Sequence, residues 1–271
     1  MRLTCQQAFT FSCIGQRTVN QDSLYPEPEQ TASHNRLFLV CDGMGGADKG
    51  EVASHLLCRA IVTYYHSSNT PTLNAVHLEA ALGRAYDDYL TYLGQHPLVN
   101  RMGSTLALLQ LNGNTALVAH IGDSRVYHIR NGEVLFQTRD HKQVNELVEE
   151  GIISAEQALT HPWRNRLSRA VLGQNGTETV RGVLPDLHTI TDLRAGDYFF
   201  LCSDGTLEQV TNYALAEILS GDLPDATKLQ TLLGLCQGRT KDNYSGHLIA
   251  VQAVDHALSE MTHAFSGTAT L

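Results

Sequence analysis

The 271-residue chain is 42% hydrophobic, which is enough for one substantial core. Its 28 Asp and Glu outnumber 19 Lys and Arg, giving a net charge of −9 without any run of five like charges, which argues against a nucleic-acid-binding surface or a polybasic membrane patch. The N-terminus lacks the apolar core of a signal peptide and no apolar run reaches the roughly 18 residues of a membrane helix, so we expect a cytoplasmic protein.

The first hundred residues predict two strands and then two long helices. Short apolar runs at 7–14 and 36–41 are typical of strands. Apolar side chains recur at helical spacing over 50–67 and again over 73–94, which predicts two amphipathic helices. Each of these helices has one apolar face to bury against the rest of the protein.

The middle of the chain predicts an antiparallel meander. Asn112-Gly113 and Asn131-Gly132 separate apolar runs, and this dipeptide favours tight type I′ hairpin turns because both residues tolerate positive φ. The strands predicted on either side of these turns are 104–111, 115–121, 125–130 and 134–137.

The segment 141–195 is poor in strand signals, and we expect it to form a small inserted flap. Helices are predicted within it at 142–150 and at 154–159, the second behind a capping box of Ser154 and Gln157. The elements predicted after the flap are a strand at 198–202, helices at 212–220 and 225–236, and a strand at 247–254.

Strands joined as hairpins, with helices grouped in sequence, predict an α+β fold in which helices pack on antiparallel sheets. No linker divides the chain, so we expect one domain over 1–255, with the flap inserted, and a flexible tail over 256–271. The chain has six cysteines without a CxxC pair, which we interpret as reduced core residues.

Acidic residues recur beside the predicted strands. Four of them follow strand-like runs and the fifth precedes one: Asp22, Asp42, Asp123, Asp204 and Asp242. In an antiparallel sheet the start of one strand lies at the same edge as the ends of its neighbours, so these side chains are able to gather. Taken singly, each fits an ordinary turn or helix cap. Their repetition favours a shared site.

A gathered set of carboxylates predicts bound metal. Two unit charges 4 Å apart repel by about 4 kcal/mol at an effective dielectric constant near 20, so the cluster needs cations. The candidate ligands are all oxygen atoms, which favours Mg²⁺ or Mn²⁺ over Zn²⁺. Gly43, next to Asp42, would let its carbonyl group approach an ion because it has no Cβ.

The motifs around these acids resemble, in order and spacing, those of the metal-dependent protein serine/threonine phosphatases of type 2C, especially the bacterial branch. They are RTVNQD at 17–22, CDGMGG at 41–46 with GEVAS at 50–54, GSTLA at 103–107, GDSRVY at 122–127, RDH at 139–141, CSDG at 202–205 and DN at 242–243. The resemblance implies a four-layer αββα fold, in which a central β-sandwich of two antiparallel sheets is flanked by helix pairs. It also implies a binuclear metal centre at one edge.

The resemblance further implies a role for each matching residue. Asp42 would bridge two tightly bound Mn²⁺ or Mg²⁺ ions, and Arg17 would clamp the substrate phosphate. The remaining ligands would be Gly43 through its carbonyl, Asp204 and Asp242 directly, and Asp22 mainly through water. Asp123 would hold a third, weaker ion, and Glu208 stands where the family usually has an aspartate ligand of that ion.

Several positions depart from the family pattern or invite a second interpretation. Met44 replaces a histidine that is proposed as proton donor in animal members, and Gly246-His247 is expected to interrupt the last strand. We interpret His141 as a loop anchor rather than a catalytic base. For the flap, contact with phosphopeptide and simple solvation are equally compatible with the sequence; the residues concerned are His161, Arg164, Arg166 and Arg169.

The implied activity is hydrolysis of phosphoserine and phosphothreonine in proteins by a metal-activated water, without a covalent intermediate. We expect a monomer that acts on the substrates of a serine/threonine kinase in signal transduction. Two alternatives are a catalytically weak phosphoprotein-binding module on the same fold and a hydrolase of small phosphate esters. An intact set of acidic ligands argues against the weak module.

Overall fold

The computed structural model describes residues 2–5, 7–44, 49–68, 72–175 and 182–255, so the predicted tail at 256–271 lies outside the described part. The described strands are β1 (Arg2–Cys5), β2 (Phe9–Cys13), β3 (Asp22–Tyr25), β4 (Leu37–Asp42), β5 (Arg101–Ser104), β6 (Leu106–Asn112), β7 (Thr115–Ile121), β8 (Arg125–Arg130), β9 (Glu133–Gln137), β10 (Val171–Gln174), β11 (Asp186–Ile190), β12 (Asp197–Cys202) and β13 (Tyr244–Asp255). The described α-helices are α1 (Gly50–Ser67), α2 (Ala75–Gln95), α3 (Gln143–Glu149), α4 (Ala155–Thr160), α5 (Asp204–Leu207), α6 (Asn212–Ser220) and α7 (Asp225–Cys236).

The strands form two main sheets in which neighbours are antiparallel. The five-stranded sheet has the order β11-β7-β6-β4-β3, and the six-stranded sheet has the order β1-β13-β12-β8-β9 with β2 beside β13. A separate ribbon pairs β5 with β10. Hairpins join β6 to β7 and β8 to β9, as the meander prediction requires.

Three apolar clusters hold the layers together. Leu39 and Cys41 of β4 pack with Leu57, Ile61 and Leu82 of the helices α1 and α2. A second cluster lies between the two sheets, and a third packs α6 and α7 against the outer face of the six-stranded sheet. The predicted α+β fold with four αββα layers is therefore confirmed.

The β4 strand shows why its sequence reads as one continuous apolar run. Leu37, Leu39 and Cys41 face the α1 and α2 helices, whereas Phe38 and Val40 face the opposing sheet. A strand covered on both faces has no polar side to present to water. The run ends at Asp42 because the covered region ends there.

The long helices and the sandwich strands match their predictions, but several short strands were missed. These missed strands are β1, β3, β5, β10 and β11. Two of them lie in 141–195, the segment predicted to be poor in strands: β10 pairs with β5, and β11 forms an edge of the five-stranded sheet. Each has only four or five residues, too few to show a clear period. The inserted flap stays a prediction.

One predicted hairpin turn is shifted by a residue. Asn131 and Gly132 have φ values of 51° and 74°, as a type I′ turn requires. In the other hairpin Asn112 pairs with Thr115, so the loop is 113–114 and only Gly113 has positive φ, at 58°.

The last strand is continuous through Gly246-His247, contrary to the predicted interruption. A Cβ at Gly246 would lie 2.2 Å from the carbonyl oxygen of Leu201, so glycine permits close pairing with β12. The buried His247 ring bonds Thr10 Oγ1 at 2.8 Å and the Leu39 carbonyl oxygen at 3.0 Å. Burial lowers the pKa of His247 to about 4.

All six cysteines are free, and five are buried while Cys13 is half-buried, which agrees with their assignment as reduced core residues. Among the described residues, no helix combines the length and the apolar character needed to cross a membrane.

Candidate metal centre

Two of the predicted ligands face each other across neighbouring strands. Asp22 is the first residue of β3 and Asp42 the last residue of β4, and the antiparallel register sets them opposite one another. The sequence suggested that Asp22 ends the region after strand 7–14, but it begins a short strand of its own. Directly opposed residues point to the same side of a sheet, so the two carboxylates share one edge.

Gly43 lets three backbone segments meet behind Asp42. Its N–H donates to the Gln21 carbonyl oxygen at 3.0 Å. A Cβ on Gly43 would lie 2.1 Å from the carbonyl oxygen of Gly50, the first residue of α1, and 2.6 Å from that of Gln21. Backbone crowding therefore requires glycine here, in addition to the predicted access of its carbonyl group to an ion.

The GSTLA motif supplies a support for Asp42 that sequence reasoning missed. The Asp42 N–H donates to Thr105 Oγ1 at 3.0 Å, and the Thr105 N–H donates to the Asp42 carbonyl oxygen at 2.9 Å. Thr105 Oγ1 also bonds Ser124 Oγ at 2.7 Å. The GSTLA motif was visible in the sequence, but only the arrangement of the strands shows that its threonine, Thr105, supports Asp42.

The six-stranded sheet contributes the other acids. Asp204 follows β12 and opens α5, and the preceding Ser203 donates its hydroxyl to Asp22 Oδ2 at 2.8 Å. This hydrogen bond joins the edges of the two sheets, and it too was missed from the sequence. The carboxylates of the two sheets therefore belong to one site.

Asp242 reaches the same site from the loop before β13. A Cβ on Gly205 would lie 2.1 Å from the Asn243 carbonyl oxygen and 3.1 Å from Asp242 Cβ. The loop after Asp204 thus packs directly on the loop that carries Asp242.

The predicted site residues surround an open cleft of about 940 Å³ at the edge of the sandwich. Those that line it are Arg17, Asp42, Gly43, Asp123, Asp204, Glu208 and Asp242. Asp22 is not part of this lining; it lies opposite Asp42 in the register of β3 and β4 and accepts a hydrogen bond from Ser203, the residue before Asp204. The structure therefore brings all the predicted residues to one place.

Burial, together with the crowding of negative charge, raises the pKa values of three of these carboxyl groups. Burial, and then repulsion by Asp22 and Asp204, hold the pKa of Asp42 well above its usual range. Burial, with repulsion by Asp123 and Asp242, raises the pKa of Asp204 to about 7. Burial raises the pKa of Asp22 to about 6. Divalent cations relieve this kind of crowding.

The donor atoms suit hard divalent ions. Asp22 Oδ1 is buried and has no hydrogen-bond partner among the described residues, although its Oδ2 accepts from Ser203. A buried oxygen without a donor is costly unless a ligand meets it. Carboxylate and carbonyl oxygens are the ligands that Mg²⁺ and Mn²⁺ prefer, so the residues present fit the predicted ions.

The tightest group of potential ligands in the described part of the chain lies elsewhere. Ligand atoms of His120, His141 and Asp186 all fall within 4.8 Å of one another, a compactness that the cleft aspartates do not reach. Arg169 already supplies a cation there, donating to Asp186 Oδ1 at 2.6 Å, and His141 Nε2 lies 3.0 Å from Asp186 Oδ2. The cleft aspartates are spaced more widely than these three residues. Wider spacing is expected for ligands that surround two ions, because the ions of binuclear sites lie about 3.5–4 Å apart.

His141 has the contacts of a loop anchor. Its Nδ1 accepts from the Gly122 N–H at 3.0 Å, and its ring stacks on His120 with 4.5 Å between the ring centroids. Gly122 leads directly into Asp123, so His141 holds the loop that carries one site acid. These contacts favour the anchoring interpretation over catalysis.

Arg17 and Glu208 both bind the Asp242 loop. Arg17 Nη2 lies 2.6 Å from Asp242 Oδ2, and 53% of the Arg17 side chain is exposed. The Glu208 carboxylate accepts from the backbone N–H of Lys241 at 2.9 Å and of Asp242 at 3.2 Å. Both Glu208 oxygens are therefore engaged in holding this loop.

Asp123 is paired with a lysine that sequence reasoning overlooked. It is 6% exposed, and its Oδ2 lies 3.0 Å from Lys142 Nζ. Lys142 directly follows the RDH motif, and this position next to a family motif could have marked it as a candidate site residue.

The flap residues divide between the cleft and other partners. Arg166 lines the cleft and lies over the Trp163 ring, whereas Arg164 lines a neighbouring pocket of about 390 Å³. His161 accepts from the Trp163 N–H at 3.1 Å, and Arg169 is engaged by Asp186. Of these four residues, Arg166 is the one that lines the cleft.

Comparisons with known proteins agree with this geometry. The chain is 33% identical over 222 residues to the protein phosphatase PhpP of Streptococcus pneumoniae, covering 81% of this chain and 87% of PhpP. It is 35% identical over 203 residues to the serine/threonine protein phosphatase PstP of Mycobacterium tuberculosis, covering 75% of this chain and 36% of PstP.

Solved structures show the same fold. The Mycobacterium tuberculosis phosphatase PstP matches with a TM-score of 0.76 and 32% identity, over 92% of this chain and all of that one. The catalytic domain of PstP in complex with two manganese ions matches with a TM-score of 0.74 and 31% identity, over 93% of this chain and all of that one. Residues 11–227 match the model of the family described as protein phosphatase 2C. The chain is a member of the protein phosphatase 2C family.

Proposed function

We propose that this protein hydrolyses phosphoserine and phosphothreonine in proteins, with two Mn²⁺ or Mg²⁺ ions bound at the cleft. The observation that carries the proposal is the meeting of Asp22, Asp42, Asp204 and Asp242 at the edge of the sandwich, where burial and mutual repulsion raise the pKa of three of them. Phosphoprotein substrates are supported by the relatives, which are named as protein phosphatases.

Each residue has a proposed task. Asp42 would bridge the ions, with the Gly43 carbonyl, Asp204 and Asp242 as further ligands, and Asp22 would act mainly through water. Bound ions of this kind supply Lewis acidity toward the phosphoryl oxygens and the attacking water. Phosphoryl transfer requires little more of a protein than positioning and charge stabilisation.

Arg17 would bind the substrate phosphate. Its guanidinium group is held at the rim by Asp242 and is half exposed, so it is oriented before a substrate arrives. A planar guanidinium matches two phosphate oxygens at once. Met44 lines the same cleft and has no proton to donate, so the leaving alkoxide must take its proton from water or another group.

Phosphate release from a phosphothreonine peptide, with Mn²⁺ and after EDTA, tests the proposal. We expect release that requires Mn²⁺, is lost with EDTA and returns when Mn²⁺ is restored. A sugar phosphate serves as the competing substrate, and preference for it would instead support a small-ester hydrolase. Binding of the peptide without turnover would support the phosphoprotein-binding module.

Three finer points are proposals that rest on the sequence. We propose that the protein acts in signal transduction against the products of a serine/threonine kinase, that it is a monomer and that it is cytoplasmic. The relatives, which are named as protein phosphatases, support the first of these proposals.

A further inference from the structure

The Lys142 side chain lies between two buried carboxylates. Its Nζ is 3.0 Å from Asp123 Oδ2 and 3.2 Å from Asp140 Oδ2. Asp123 is 6% and Asp140 9% exposed, and the Lys142 side chain is 20% exposed. Charges this poorly hydrated interact much more strongly than a surface ion pair.

The backbone holds this lysine in place. The Lys142 N–H donates to the Asp140 carbonyl oxygen at 3.0 Å, and Lys142 pairs with Leu167 in an isolated antiparallel bridge. The next residue, Gln143, donates its N–H to the Arg166 carbonyl oxygen at 2.9 Å and begins α3. Lys142 therefore projects from backbone that is tied on two sides, and its ammonium group contacts both carboxylates.

Of the two carboxylates that Lys142 contacts, Asp123 depends on it more for the neutralisation of its charge. Asp140 also accepts two hydrogen bonds from Arg125, at 2.6 and 2.9 Å. A bidentate guanidinium already balances that carboxylate. Within the described part of the chain, Lys142 is the one ion-pair partner of Asp123.

The other expected ligand of a third ion is also engaged. Glu208 uses both carboxylate oxygens on the backbone N–H groups of Lys241 and Asp242. The residues that the family resemblance assigned to a third ion thus do not fit that ion in this chain. One is neutralised by an ammonium group and the other supports a loop.

We propose that the Lys142 ammonium group takes the place of a third divalent ion: it neutralises Asp123 and leaves the centre with two exchangeable ions. This rests on the proposed function in that it assumes the two-ion centre. Lys142 is then a positioning residue, because it acts on the cleft through Asp123. Lys142 also directly precedes α3, so the same ion pair joins the start of the predicted flap segment to the cleft.

The test is the number of Mn²⁺ ions bound per chain, measured by titration calorimetry and by the loss of free Mn²⁺ signal in electron paramagnetic resonance, up to about 10 mM Mn²⁺ to include weak sites. We expect two ions for the wild-type protein and two for Lys142→Arg, which keeps the charge. We expect three for Lys142→Met, and two again when Asp123→Asn is added to it.

The single variant Asp123→Asn provides a second test, which can be made even if Lys142→Met does not fold. The proposal requires that this single variant still binds two ions, since Asp123 holds none. Three ions in the wild-type protein with two in Asp123→Asn, or two ions in a folded Lys142→Met, would overturn it. A wild-type protein that binds no Mn²⁺ would instead refute the proposed function, so the two failures are distinguishable.

Discussion

Asp42 lies where the negative charge of the site is most concentrated. Its buried carboxyl group is repelled by the four other predicted aspartates, Asp22, Asp123, Asp204 and Asp242. We predict that Asp42→Asn lowers Mn²⁺-dependent phosphate release by at least about 100-fold, because several kcal/mol of barrier lowering depend on the ions. The fold should be retained, since asparagine has nearly the same shape. Phosphopeptide turnover and circular dichroism provide the two measurements.

Asp88→Asn is the matched control for this variant. Asp88 lies on α2, is partly exposed and pairs with Arg59 at 3.1 Å, so the same chemical change there should leave turnover unchanged. Near-normal turnover in Asp42→Asn would refute a bridging role for Asp42.

Arg17 permits a second test at the level of one side chain. We predict that Arg17→Ala raises KM for a phosphopeptide by about tenfold, with a smaller change in kcat, because one phosphate contact of about 1.4 kcal/mol is lost. Arg17→Lys keeps the positive charge but loses the planar guanidinium group, so its KM should lie between those of the wild-type protein and Arg17→Ala. Steady-state kinetics at saturating Mn²⁺ measures both parameters, and an unchanged KM would remove Arg17 from the phosphate site.

At the level of elements, the junction of β4 and α1 determines whether the acids meet. A Cβ at Gly43 would fall on the Gly50 carbonyl group, and backbone cannot rotate away as a side chain can. We predict that Gly43→Ala costs about 2–4 kcal/mol of unfolding free energy and weakens Mn²⁺ binding. Chemical denaturation and calorimetric titration test the two parts.

Gly83→Ala is the control for the junction. Gly83 lies inside α2, and apart from the neighbouring backbone of that helix a Cβ there would meet no atom of the described residues within 4 Å. Alanine in an open helical position should stabilise the protein by about 0.5–1 kcal/mol and leave Mn²⁺ binding unchanged. Equal effects of the two substitutions would show that crowding at Gly43 is unimportant.

For the whole molecule, the crowded acids predict how stability depends on pH without metal. An aspartate of the unfolded chain has a pKa near 3.9, whereas that of Asp204 is about 7 and that of Asp42 is raised well above its usual range. Between the pKa of the unfolded chain and the higher pKa values of the folded state, the folded state binds more protons than the unfolded state. The free energy of unfolding therefore falls as pH rises through this interval. Between about pH 6.5 and 8.5 we expect a loss of about 1–3 kcal/mol.

Mn²⁺ should remove this loss, because ions bound only by the folded state stabilise it and favour the ionised acids. The chosen range avoids the interval between about pH 4 and 6.5, where burial of His247 acts in the opposite direction. Thermal unfolding with EDTA and with Mn²⁺ measures the difference. A metal-free protein whose stability rises or stays constant over this range would contradict the prediction.

The sequence predicted most of the sandwich, because its central strands and paired helices are long enough to show their periods. It failed at β3 and β11, whose four and five residues carry no clear pattern and are defined by pairing with neighbours. It also misread Gly246, since a glycine that looks like an interruption proves to be the residue that allows close strand pairing.

By itself, the sequence determined the fold class, the motif series and the acids that would meet, because burial patterns and turn residues are local properties of the chain. Only the tertiary structure decided how those acids are held and balanced. The contact of Ser203 with Asp22, the support of Asp42 by Thr105 and the pairing of Lys142 with Asp123 each join residues 19 to 181 positions apart. Such contacts follow from strand register and loop packing, which no local pattern encodes.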